Sequence, residues 1–93
     1  DFLRTNDKVK DVAVIGIPDK RLGEITAAVI EIKEGIEATT QEINDYCMKL
    51  PKYKRPRTII FADIPRNPTG KIEKPKLRKM YGGESLVAAQ NRG

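Results

Sequence analysis

The residues with the clearest chemical potential lie in Ile64-Pro65-Arg66-Asn67-Pro68-Thr69-Gly70-Lys71-Ile72. Pro65 and Pro68 each remove a backbone donor and fix φ, so neither a helix nor a central strand can run through the stretch. Asn67 favours a turn, and Gly70 can take a positive φ at little cost. Lys71 is thereby placed just past a turn, with Ile64 and Ile72 as apolar anchors on either side. A compact charge on a long stem suits phosphate or carboxylate oxygens. An ordinary solvated lysine is the alternative, and local chemistry leaves both readings open.

Composition narrows the chemistry further. The 93 residues include no histidine and a single cysteine, Cys47. Ser-His-Asp and Cys-His catalysis, histidine-ligated metals, cysteine-cluster zinc sites and an intramolecular disulfide are thus excluded within this chain. A lone cysteine fits a reducing compartment. No apolar run approaches the ~20 residues of a membrane helix and no signal peptide is expected, so the expectation is a cytoplasmic protein. The net charge of +5 is unevenly spread: residues 1–50 hold seven basic and ten acidic side chains, residues 51–93 eleven and three. The basic half contains Lys71 and would concentrate a nucleotide, a coenzyme or nucleic acid around it.

Two familiar phosphate readers can be tested directly. A P-loop, G-x-x-x-x-G-K-[ST], would need glycine at 65 and a hydroxyl at 72, where the chain has Pro65 and Ile72. An RNA-binding module would need stacking aromatics among its cations, yet the basic half offers Tyr53, Phe61 and Tyr81, with Phe61 expected in the core. With no paired carboxylates in a pocket motif, what remains is one presented cation that could stabilise negative charge in a site built mainly elsewhere.

The elements that must position it read as a small α+β domain. Phe2 and Leu3 look like the apolar end of a helix, followed by a turn at Asn6-Asp7-Lys8. Val12–Ile17 reads as a buried strand ended by Pro18-Asp19, and Ile25–Ile32 as a second, antiparallel to it across a longer loop. Thr39 and Glu42 have capping-box spacing, and Ile43, Tyr46, Cys47 and Leu50 share one helical face that Pro51 ends. Cys47 on that face is expected to pack rather than react. Thr58–Ala62 supplies a third strand, and Pro75 opens a last helix with Leu77 and Met80 or Tyr81 inward and Gly82-Gly83 at its end. The expected core holds Val14, Ile15, Ala27, Val29, Ile43, Leu50, Ile59 and Phe61. The domain is expected over 1–83, with a frayed tail over 84–93.

Three ordered motifs carry a resemblance. They are Val14-Ile15-Gly16-Ile17-Pro18-Asp19 with Gly23-Glu24, then Leu50-Pro51-Lys52-Tyr53-Lys54-Arg55-Pro56, then Pro65 to Ile72 with Leu77-Arg78. Together they resemble the C-terminal domain of the adenylate-forming superfamily, which includes acyl-CoA synthetases, nonribosomal peptide adenylation domains and luciferases. The resemblance implies a three-stranded lid domain flanked by helices and lacking its upstream hinge. It implies ATP with magnesium, bound mainly by an N-terminal adenylation domain of the same polypeptide, and coenzyme A as acceptor. Lys71 corresponds to the catalytic lysine of acyl-adenylate formation, with Gly70 and Thr69 beside the nucleotide. The loop from Arg21 to Gly23 and Glu24 would line the thiol's approach, or be an ordinary turn. Lys52, Lys54 and Arg55 could meet coenzyme A phosphates, or be a solvated face. A lysine at position 74 and Pro75 depart from the family's usual paired basic residues.

Overall fold

Two strands with apolar side chains on both faces set the architecture. In the computed structural model, which describes residues 2–82, β1 (Val9–Asp19) and β2 (Gly23–Ile32) pair antiparallel. Strand β3 (Thr58–Phe61) joins β2 in parallel, so β2 is central. Ala27, Ala28, Val29 and Ile30 are completely buried, which requires cover on both sides of the sheet. The parallel step from β2 to β3 needs a crossover, supplied by helix α1 (Thr40–Cys47). A 3-10 turn at Phe2–Thr5 precedes β1, and helix α2 (Lys74–Leu77) runs into a π-helical turn at Arg78–Gly82. The expected three-stranded α+β architecture is observed, with helical elements over both faces.

Alternation along the strands sorts the core into two layers. Val12, Ala28 and Ile30 pack with Ile43 and Cys47 of α1 and with Leu3. Ala13, Ile15, Ile17, Ala27 and Val29 face the other way, against Ile64 and Leu77. Parity alone would put Val9 in the second layer. A register irregularity between Val9 and Asp11 turns Val9 into the first layer instead. The α1 cap follows the expected pattern, with Thr39 Oγ1 accepting from the Glu42 amide at 3.1 Å.

Several boundaries differ from expectation. Strand β1 continues through Pro18 and Asp19, which an edge strand tolerates, and three residues rather than a longer loop join it to β2. The Asp19 carboxylate closes that hairpin by accepting the amides of Arg21 (2.9 Å) and Leu22 (2.8 Å), and Gly23 follows with φ +83°. Helix α1 ends at Cys47, short of Leu50. The amides of Met48, Lys49 and Leu50 tighten to i−3 carbonyls, and the Arg55 guanidinium takes the Met48 and Leu50 carbonyls. Ile15, Ala27, Val29 and Ile43 are buried as expected, whereas Val14, Leu50 and Ile59 are half-buried. Phe61 is exposed, because it ends an edge strand and no described element covers that corner. Of the two candidates after Leu77, Tyr81 joins the second layer and Met80 points to solvent. Gly83 and the tail expected over 84–93 lie outside the described residues.

One charged side chain is buried among the described residues, that of Asp11. Arg4 and Arg66 both pair with it at 2.8 Å, and the Val12 amide donates to it at 2.9 Å. Burial pushes the Asp11 carboxyl up, but the hydrogen bonds from Arg66 and Val12 and the two positive charges outweigh it. The group is left below the usual carboxylate range. Because the folded value lies below the unfolded one, this stabilisation is full above the unfolded value, about pH 4, and is lost as pH falls through the folded value.

Two stability measurements check this architecture. Leu77→Ala removes a fully buried side chain and is expected to lower the unfolding free energy by about 2–5 kcal/mol in urea titrations, against about 1 kcal/mol or less for Phe61→Ala. Asp11→Asn should flatten the loss of stability below about pH 4, and an acid-unfolding profile identical to that of the parent chain would contradict the linkage.

Candidate functional site

The turn around Lys71 is built by one carboxamide. Asn67 Oδ1 accepts from the Thr69 amide (3.0 Å), the Thr69 hydroxyl (2.7 Å) and the Lys71 amide (2.9 Å). Backbone bonds from Gly70 N–H to the Asn67 carbonyl and from Asn67 N–H to the Lys71 carbonyl, each 2.9 Å, close the same loop. Gly70 takes φ +88°, and a Cβ there would meet nothing within 4 Å. Its requirement is therefore backbone conformation, with open space left in front of the loop. The prolines at 65 and 68 cause no break in this pattern, since the bonds fall on their neighbours. Lys71 is exposed at the edge of a shallow depression shared with Asn67, Ile72, Glu73, Pro75 and Lys76.

The base of the loop is fastened to the sheet by two carboxylates. Arg66 reaches Asp11 with both arms of its fork, Nε to Oδ2 at 2.8 Å and a terminal nitrogen to Oδ1 at 2.9 Å. Its other terminal nitrogen donates to the Gly70 carbonyl. Glu31 Oε1 accepts the Ile64 amide at 2.9 Å, while Oε2 pairs with Lys10 at 3.1 Å. Asp11 and Glu31 are register partners across β1 and β2, a placement that would repel without those donors. The Ile64 amide, followed by Lys10, holds the Glu31 carboxyl below its ordinary value despite partial burial.

The second sequence-predicted region, Gly23 and Glu24, opens β2. Gly23 and Glu24 follow the hairpin tip at the far end of β1, eight residues from Asp11, or roughly 26 Å of strand. Glu24 lies over Gly16: a Cβ at position 16 would come within 2.5 Å of the Glu24 carboxyl carbon. The glycine of that motif thus makes room for a cross-strand side chain. Arg55 is committed to carbonyls after α1, whereas Lys52 and Lys54 are exposed. Cys47 is buried in the first layer, and burial pushes its thiol up, away from reactivity. No group of three or more His, Cys, Asp or Glu side chains converges as a metal site among the described residues. Sequence reasoning missed Asp11 and Glu31. Their signal was a carboxylate set against each apolar strand run, but no local spacing links residue 11 to residue 66.

Comparisons with known proteins show which family shares this fold. The AMP-binding enzyme C-terminal domain family matches residues 1–71. The long-chain-fatty-acid–CoA ligase FadD13 of Mycobacterium tuberculosis is 51% identical over 75 residues, covering 78% of this chain and 15% of that protein. The mitochondrial medium-chain acyl-CoA ligase ACSF2 of Danio rerio is 48% identical over 80 residues, covering 84% of this chain and 13% of that protein. Among solved structures, a Mycobacterium tuberculosis fatty acyl CoA synthetase superposes with TM-score 0.78 at 46% identity, over 86% of this chain and 16% of the other. ATP-bound MatB from Rhodopseudomonas palustris gives TM-score 0.80 at 31% identity, over 88% of this chain and 17% of the other. The chain therefore spans a small fraction of the length of each relative. A matching sequence profile, close relatives and a shared fold lead to one assignment: this chain belongs to the AMP-binding enzyme C-terminal domain family.

Proposed function

We propose that this chain is the C-terminal lid domain, over residues 1–83, of an ATP-dependent acyl-CoA synthetase, and that Lys71 is its catalytic residue. The observation that carries the reading is the exposed Lys71 at the tip of a hydrogen-bonded loop whose glycine leaves the approach open. The relatives named as fatty-acid and acyl-CoA ligases support the reaction class. In the first step a substrate carboxylate oxygen bonds to the α-phosphorus of ATP, and the bond to pyrophosphate breaks with its electron pair leaving on pyrophosphate. Lys71 offsets the repulsion as two anions are brought together, a contribution of about 3 kcal/mol by analogy with other preorganised donors.

In the second step the sulfur of coenzyme A attacks the acyl carbon, loses its proton and expels AMP. We assign Gly23 and Glu24 to the face that meets this thiol, and Gly70 and Thr69 to the nucleotide side. The two regions are assigned to different steps, with the lid turned between them. ATP and the acyl chain would be held mainly by an N-terminal adenylation domain of the same polypeptide, so the isolated chain is expected to be inactive. Magnesium would be held with ATP mainly by that N-terminal domain, since no group of three or more His, Cys, Asp or Glu side chains converges among the described residues. A cytoplasmic location belongs to the same proposal; no helix among the described residues is long and apolar enough to cross a membrane. The rival reading, an RNA-binding module, loses several of its cations to internal partners: Arg66 to Asp11, Arg55 to carbonyls and Lys76 to Glu73.

The test is a separation of the half-reactions in the full-length enzyme. Lys71→Ala is expected to slow acyl-adenylate formation, followed by pyrophosphate release, about a hundredfold or more, while thioester formation from supplied acyl-adenylate stays close to the parent rate. An equal fall in both steps would remove Lys71 from the role assigned to it.

A further inference from the structure

The geometry points to Asp11 and Glu31 as positioning residues that hold the Lys71 loop in its working shape through Arg66 and the Ile64 amide. The two carboxylates are register partners on neighbouring strands, and they grip the loop at two places. Glu31 holds its root at the Ile64 amide, 2.9 Å away. Asp11 holds Arg66 by both arms, and Arg66 in turn donates to the carbonyl of Gly70, the residue before Lys71. A chain of three groups thus runs from a buried strand position to the peptide that carries the lysine.

Three features favour positioning over a general ion pair. Asp11 is buried on β1 and paired in register with Glu31 of β2, so its carboxylate has little freedom. The Arg66 fork is planar and five-donored, so one guanidinium can serve both the carboxylate and a carbonyl; a lysine could not bridge them in the same way. Local bonds from Asn67 define the shape of the turn, but they leave its orientation relative to the sheet open. The carboxylate pair supplies that orientation. A charge that must meet a transition state is sensitive to displacement: a shift of about 1 Å can cost on the order of a hundredfold in rate.

This inference rests on the role proposed for Lys71, and the experiment separates the two. In the full-length enzyme, Asp11→Asn is expected to lower kcat for acyl-adenylate formation by about tenfold to a hundredfold. The KM values for ATP and the carboxylic acid, and thioester formation from supplied acyl-adenylate, should stay within about twofold. Hydrogen exchange read by mass spectrometry should quicken over residues 67–71 and not over β2. An unchanged first step, or an equal loss in both steps, overturns the inference. Arg66→Lys keeps the charge but not the fork, and carries the same expectations should Asp11→Asn fail to fold. If Lys71→Ala leaves acyl-adenylate formation intact, the role of Lys71 falls, and the clamp is then judged by exchange: unchanged protection of residues 67–71 in Asp11→Asn overturns it.

Discussion

A carboxylate on a buried strand position is costly unless its oxygens are filled by donors, and Asp11 meets that condition through three partners from three parts of the chain. Arg4 comes from the turn before β1, the Val12 amide from β1 itself, and Arg66 from a loop more than fifty residues later. The charge therefore couples the first turn, the edge of the sheet and the base of the Lys71 loop. Removing any one of these partners would leave part of a buried charge unanswered, which is a stronger constraint than the same pair would impose in solvent.

The site has two levels of order with different physical origins. The turn itself is local: Asn67 accepts three donors within four residues, and Gly70 takes the left-handed conformation that completes it. Its direction is tertiary, set by Arg66 and by the Ile64 amide against the sheet. Beneath it, Ile64, Ile72 and Leu77 pack with the second layer, so the apolar residues flanking the loop anchor it as well.

Much of the architecture was legible because it follows from periodicity. The apolar runs in β1 and β2, the threonine cap of α1 and the proline at the start of α2 are signals within a few residues of one another. The less legible parts involve competition between distant groups. Asp19 and Gly23 closed a hairpin three residues long where a longer loop was expected, because one carboxylate could take two amides. Helix α1 ended early because its last amides tightened to i−3 carbonyls, and Arg55 from beyond Pro51 fills the carbonyls of Met48 and Leu50 left open there. Phe61 has the composition of a core residue but lies at an edge that the other described residues leave partly open.

The Lys71 tip was readable from the amino-acid sequence by itself, since two prolines, an asparagine and a glycine can present a lysine by local backbone chemistry alone. So were the absence of histidine chemistry and the three ordered motifs that place the chain in its family. The tertiary structure alone decided how the tip is held. Strand register brings Asp11 beside Glu31, and the crossover through α1 returns the chain so that Arg66 reaches them. Side-chain pairing across fifty-five positions depends on register and packing rather than on spacing, and a linear pattern carries no trace of it.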